Sequence, residues 1–172
     1  NKDVRTAIAQ AMDRAGLLQK TESSNSPATQ VIPSSLPGYD KSVSFPAFDL
    51  TAAKASLTKS GYKNEQLEFV YIKELQVDAP VLIEQLKALG LNIKETSFTS
   101  DETDAALDQL ESGDFDLFTA GFTSDISDAR DLLGALLSST ESTYPVLKDE
   151  AYDKLLADSD KAFDPTERIK LL

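Results

Sequence analysis

Asp125, Asp128 and Asp131 are spaced three apart, just after a segment that reads as a strand. Carboxylates at the carboxyl end of a sheet strand could hold a cation or an amine, because open α/β sheets take ligands there. The plainer reading of Asp128 and Asp131 is acidic residues in the first turn of a helix, where they complement its macrodipole. The turn of a calcium loop, D-x-D-x-D-G, is not present. Other acidic groups also sit at expected helix starts: Asp101, Glu102 and Asp104, then Asp149, Glu150 and Asp153. Asp158 and Asp160 read as solvent-facing groups at the end of their helix. A hydrolase could be built on a carboxylate pair such as Asp125 with Asp128, yet nothing in the spacing selects one pair. Tyr39, Phe45 and Phe48 could line an apolar pocket or anchor a loop on the core.

Composition removes several chemistries. The 172 residues include no His and no Cys. A Ser-His-Asp triad, a thiol nucleophile, a disulfide and an ordinary zinc site are therefore excluded. There are 17 basic and 29 acidic side chains, a net charge of −12. That balance opposes a phosphate backbone, so no nucleic-acid partner is expected. No phosphate-binding glycine loop occurs, and no cofactor is expected. An apolar share of 41% is enough for a packed core. No apolar run approaches the roughly 18 residues of a membrane span. The chain opens without Met on a charged helical pattern and stops inside another, so it reads as an excised part of a longer protein.

The elements that must position these residues follow from periodicity. A helix is expected over 2–18, then a Ser-, Thr- and Pro-rich connection over 19–48. Asp49 caps a helix ending at Gly61, and Leu67–Ile72 alternates as a strand. A helix over 76–89 turns Val77, Val81, Leu82, Leu86 and Leu89 inward and ends at Gly90. A strand over 91–98 follows, then a helix capped by Ser100 or Asp101 and ended by Gly113. A third strand is expected over 116–122, a turn at Tyr144-Pro145, and helices over 127–137, 149–161 and 165 onward. Asp164, Pro165 and Glu167 form a capping-box start for the last. Strand, helix, strand, helix, strand with short loops is an α/β order, expected as a mixed sheet with packed helices.

Several segments, in order, resemble the bacterial extracellular solute-binding proteins of family 5, the oligopeptide, dipeptide and nickel class. VRTAIAQAMDRAGL is similar to the family's Arg, Ala-rich, Asp-Arg helix, through Arg5, Ala7, Ala9, Ala11, Asp13 and Arg14. ATQVIPSSLPGYD resembles its loop, with Ile32-Pro33 and Gly38-Tyr39. FDLTAAKASLTKSGY and IEQLKALGLNIKE are similar to its next helix and its helix-to-strand unit. GDFDLFTAGFTSD resembles its Gly-Trp-x-x-Asp strand and loop, with Gly121, Phe122 at the Trp position, and Asp125. AYDKLLADSDKAFDPTERIKLL resembles the helices that follow.

The resemblance implies a non-catalytic lobe of a type II periplasmic-binding-protein fold. It makes residues 1–172 a single, incomplete C-terminal lobe, lacking the other lobe and the C-terminal hinge segment. It implies peptide capture for an ABC transporter, with the membrane permease subunits as partners and a monomeric protein. The location would be extracytoplasmic, with a lipid anchor on the full-length protein. Asp125 would hold the peptide's α-amino group, beside Phe122 and Gly121. A nickel chelate or a sugar is the other ligand class the family takes. Outside the family, the alternatives are the carboxylate hydrolase and an acidic scaffold domain.

Overall fold

The computed structural model describes residues 1–119, 121, 126–142 and 148–172. They fall into two compact units, one of Asn1–Pro27 with Phe45–Gly121, the other of Ala28–Ser44 with Phe122–Leu172.

The first unit is built on a parallel sheet in the order β2-β1-β3. The strands are β1 (Gln66–Ile72), β2 (Asn92–Phe98) and β3 (Leu117–Phe118). β1 pairs with β2 from Gln66↔Asn92 to Ile72↔Phe98, and with β3 at Phe69↔Leu117 and Val70↔Phe118. Both described pairings are parallel where a mixed sheet was expected; the α/β class with packed helices is as expected. Thr119 N–H still donates to Val70 O at 3.4 Å, but Ala120 and Phe122, in the expected run to 122, lie outside the described residues.

The central strand shows why the layers form. Phe69, Val70, Tyr71 and Ile72 are all buried, so β1 is covered on both faces rather than on alternate residues. On one face Phe69 and Tyr71 pack with Ala7 and Ala11 of α1 (Lys2–Ala11) and with Ala53 and Leu57 of α3 (Leu50–Lys59). Ile83, Leu86 and Leu89 of α4 (Ala79–Leu89) complete that core. α5 (Thr103–Ser112) packs on β1 and β2 with Ala106 and Leu110 buried. Small alanines let the helices approach closely, and each fully buried large side chain contributes about 1.5–3 kcal/mol.

Local chemistry sets the boundaries, and three differ from expectation. The helix expected over 2–18 is two: α1, and α2 (Arg14–Lys20). Met12 is extended, and the Asp13 carboxylate accepts Gly16 N–H at 2.9 Å, starting a new helix. Gln85 of α4 fixes the corner. Its Oε1 accepts Asp13 N–H at 3.0 Å and its Nε2 donates to Asp13 O at 3.1 Å. α4 itself begins at Ala79, so Val77 is 70% exposed rather than inward, and Ile83 takes the core position. α5 is led by a 3₁₀ turn over Ser100–Glu102 whose cap is Thr99, in a reciprocal box with Glu102, not Ser100 or Asp101. Elsewhere expectation holds: Asp49 caps α3 at Ala52 N–H, and Gly90 and Gly113 end α4 and α5 in left-handed conformations.

The second unit packs α6 (Ala129–Leu137), α7 (Glu150–Lys161) and α8 (Pro165–Leu171) with the segment 28–44. Ile32, Ala129, Leu133 and Leu156 form its core, with Tyr39, Tyr152 and Leu172 against them. Gly38 takes φ +96° within this unit, its Cβ position 3.5 Å from Ala129 Cβ. Asp164 Oδ1 accepts Glu167 N–H at 2.9 Å, the first half of the expected box. Tyr144-Pro145 lies outside the described residues.

Replacing Gln85 with Ala removes both hydrogen bonds to the Asp13 backbone. The loss expected is about 1–3 kcal/mol in urea unfolding. An unchanged midpoint and slope would show that the α1–α2 corner holds without it.

Candidate functional site

The carboxyl edge of the parallel sheet is the place where this architecture receives ligands. Two of its loops are tied together. Lys73 N–H donates to Phe98 O at 2.9 Å. Glu74, just past β1, accepts from Ser100 N–H at 2.9 Å and Ser100 Oγ at 3.2 Å, just past β2. The turn from β1 into α4 is closed from inside: Gln76, 8% exposed, accepts Ile72 N–H on its Oε1 at 2.6 Å. Its own N–H and that of Leu75 return to Ile72 O. Past β3, Gly121 is exposed, and among the described residues no atom lies within 4 Å of the position a Cβ would take. Phe122 and Asp125 lie outside the described residues.

Asp128 is described and is fully employed. Its carboxylate caps α6 by accepting Arg130 N–H at 2.9 Å and pairs with Arg168 NH2 at 2.9 Å. Burial works against its ionised form, but the Arg130 N–H and the Arg168 guanidinium outweigh that and hold its carboxyl below the usual range. It is a helix cap and an ion-pair partner of α8, so the Asp125–Asp128 acid pair has no free second member. Asp131 sits in the first turn of α6, as the plainer reading requires.

The charged centre of the second unit is Arg130, which spacing did not reveal. Its guanidinium is bidentate to Glu141, at 2.7 and 2.6 Å, and bidentate to Asp160, at 2.9 and 2.9 Å. The side chain is only 16% exposed. Glu141 first, then Asp160, raise its already high pKa further. Asp160 is solvent-exposed, as expected, and pairs with Arg130 as well. Asp153 likewise does more than charge a helix start. It accepts Ser138 Oγ at 2.8 Å, Ser139 N–H at 3.0 Å and the Ser139 hydroxyl, joining α7 to the end of α6. The Ser139 hydroxyl is the largest cause lowering its pKa. Tyr152 is pushed up to about 12 by burial, its OH donating to Leu133 O at 3.0 Å.

The aromatic trio divides. Tyr39 packs into the second core, and Phe45 lies under Arg14, whose guanidinium carbon is 4.8 Å from the ring centre. Phe48 is half exposed. Tyr39 and Phe45 each anchor their own segment. A groove of about 480 Å³ opens at the amino end of the strands, between Arg5, Tyr62, Leu67 and Leu117. Among the described residues no group of three acidic side chains is placed to hold a metal ion, and no helix is long and apolar enough to cross a membrane.

Asp128 and Asp153 titrate below their unfolded values, so the unfolded chain binds protons first as pH falls. Their stabilisation is complete above about pH 4–5 and is lost as pH drops through the depressed folded values. Melting temperature should accordingly fall steeply below about pH 4, and Asp128→Asn should remove part of that slope. An identical pH profile for the variant would take Asp128 out of the account.

The family model "Bacterial extracellular solute-binding proteins, family 5 Middle" matches residues 1–144. Periplasmic oligopeptide-binding protein OppA of Salmonella typhimurium is 33% identical over 85 residues, 49% of this chain and 15% of that protein. The structure of HbpA2 from Haemophilus parasuis superposes with a TM-score of 0.84 at 25% identity, over 98% of this chain and 35% of the other. The periplasmic binding protein DppA from Helicobacter pylori, solved with the peptide STSA, gives 0.86 at 24% identity, over 99% and 35%. The chain thus spans about a third of the length of these solved relatives. Its α/β architecture is that of one lobe of a type II periplasmic-binding-protein fold, in a class that binds solutes outside the cytoplasm and performs no catalysis. The chain belongs to the bacterial extracellular solute-binding proteins, family 5.

Proposed function

We propose that residues 1–172 are most of the C-terminal lobe of a monomeric solute-binding protein that captures oligopeptides. It hands them to the membrane permease subunits of an ABC transporter, and a lipid anchor on the full-length protein keeps it at the membrane. The observation that carries this reading is the family match over residues 1–144, narrowed towards peptides by the identity to an oligopeptide-binding protein. The tied loops at the carboxyl edge of the sheet supply a rigid rim for one side of a cleft. A second lobe closes over the ligand from the other side.

In this reading Asp125 takes the peptide's α-amino group. A charge-assisted bond between a carboxylate and an ammonium contributes about 1.5–3 kcal/mol. A net charge of −12 draws cationic termini towards the protein. Among the described residues nothing crowds Gly121, which leaves room for a peptide backbone to approach; Phe122 is taken as its neighbour in the ligand contact.

Calorimetry tests the assignment in two ways. In the full-length protein Asp125→Asn should weaken a free-amine tripeptide about tenfold or more, while its N-acetylated form changes little. Equal loss for both peptides would remove Asp125 from the amine role. The 172-residue chain alone should give no measurable heat with the same tripeptide. If two lobes share a micromolar affinity of about −8 kcal/mol equally, one alone reaches only about millimolar. Tight binding by the single chain would overturn the two-lobe reading.

A further inference from the structure

We infer that Leu75 and Val77, in the turn from β1 to α4, form an apolar rest for a side chain of the bound peptide. This rests on the peptide-binding reading above and adds to it a preference: an apolar residue where the ligand crosses the end of the central strand.

The turn inverts the ordinary distribution of polarity. Leu75 is 62% exposed and Val77 is 70% exposed, while the polar Gln76 between them is 8% exposed. Large aliphatic side chains gain by leaving water, and an amide side chain loses unless it is hydrogen-bonded. The backbone bonding enforces the inversion. Gln76 Oε1 takes Ile72 N–H, Ile72 O takes the N–H groups of Leu75 and Gln76, and Gln76 O takes Ala79 N–H at 3.1 Å. With Gln76 locked inward, its two neighbours are directed outward. The Glu74 carboxylate next to the turn is held towards the β2 side, where its Oε2 accepts both Ser100 N–H and Ser100 Oγ.

The position matters as much as the exposure. This turn leaves the carboxyl end of β1, the central strand, and that edge is the ligand-receiving one in parallel sheets. The hydrogen bonds of the turn fix the backbone that carries the two aliphatic side chains, so a ligand that covers them meets less ordering cost from the turn. A leucine side chain gains from that contact. A lysine ammonium placed against it loses hydration without a partner.

The test uses the full-length protein and tripeptides of Ala carrying one Leu or one Lys at each position, titrated by calorimetry. The unaltered protein should prefer Leu over Lys at one position by about tenfold or more. The double variant Leu75→Ser/Val77→Ser should lose about tenfold for that Leu peptide, or about 1.4 kcal/mol. Its affinity for Ala-Ala-Ala should stay within about twofold, and Leu75→Met/Val77→Ile should keep the preference. An unchanged preference in the serine variant overturns the inference. So does an equal loss for all peptides, which would mean that the pair packs against protein and not ligand. Binding of every peptide without discrimination by the unaltered protein overturns this inference alone. Binding of no peptide overturns the peptide reading and this inference with it.

Discussion

A strand buried on both faces has no water at its middle, and β1 is such a strand. Every backbone group along Phe69–Ile72 must then find a partner in the protein. Pairing with β2 and β3 covers most of the length, but a parallel ladder leaves its ends unevenly served. Side chains close them. At the amino end the Asp116 carboxylate accepts Glu68 N–H at 2.9 Å, and Tyr62 OH accepts Asn92 N–H at the start of β2. At the carboxyl end Gln76 accepts Ile72 N–H. The shape of the carboxyl edge follows from that last bond, because a residue spent inside the turn forces its neighbours to the outside.

The acidity of the chain has a structural use. Asp13, Asp49, Asp128, Asp149 and Asp164 each accept a backbone N–H at the start of a helix. A short carboxylate satisfies an orphan donor there and also faces the positive end of the dipole. Other acids pair with the few cations: Glu68 with Lys94, Glu141 and Asp160 with Arg130. The exposed pairs such as Lys20–Glu84 contribute little, whereas the twice-bidentate Arg130 organises one end of the second unit. A surplus of carboxylates is therefore no sign of acid-base chemistry in this chain.

Family membership and local physics bear on different parts of the molecule. The match over 1–144 concerns the framework: the helix with its Ala-rich inner face, the strand-helix-strand unit and the loop between them. A framework shared by many binding proteins does not choose a ligand, and specificity lies in the few side chains that its edge presents. Leu75 and Val77 are exposed at that edge.

The sequence by itself determined the helices whose caps and stops are local. Asp49, Asp164, Gly90 and Gly113 act within one turn of their own position, so their neighbours suffice to read them. It also determined the α/β order and the family, since both are carried by pattern along the chain. Tertiary structure alone decided the rest. The break at Met12–Asp13 depends on Gln85, which lies 72 residues away. The outward Val77 depends on Gln76 reaching a strand N–H, and periodicity extended through that turn points it inward. Arg130 gains its role from Glu141 and Asp160, 11 and 30 residues distant. Each of these is a polar contact between segments brought together by folding, and hydrophobic spacing carries no record of which donor will meet which acceptor.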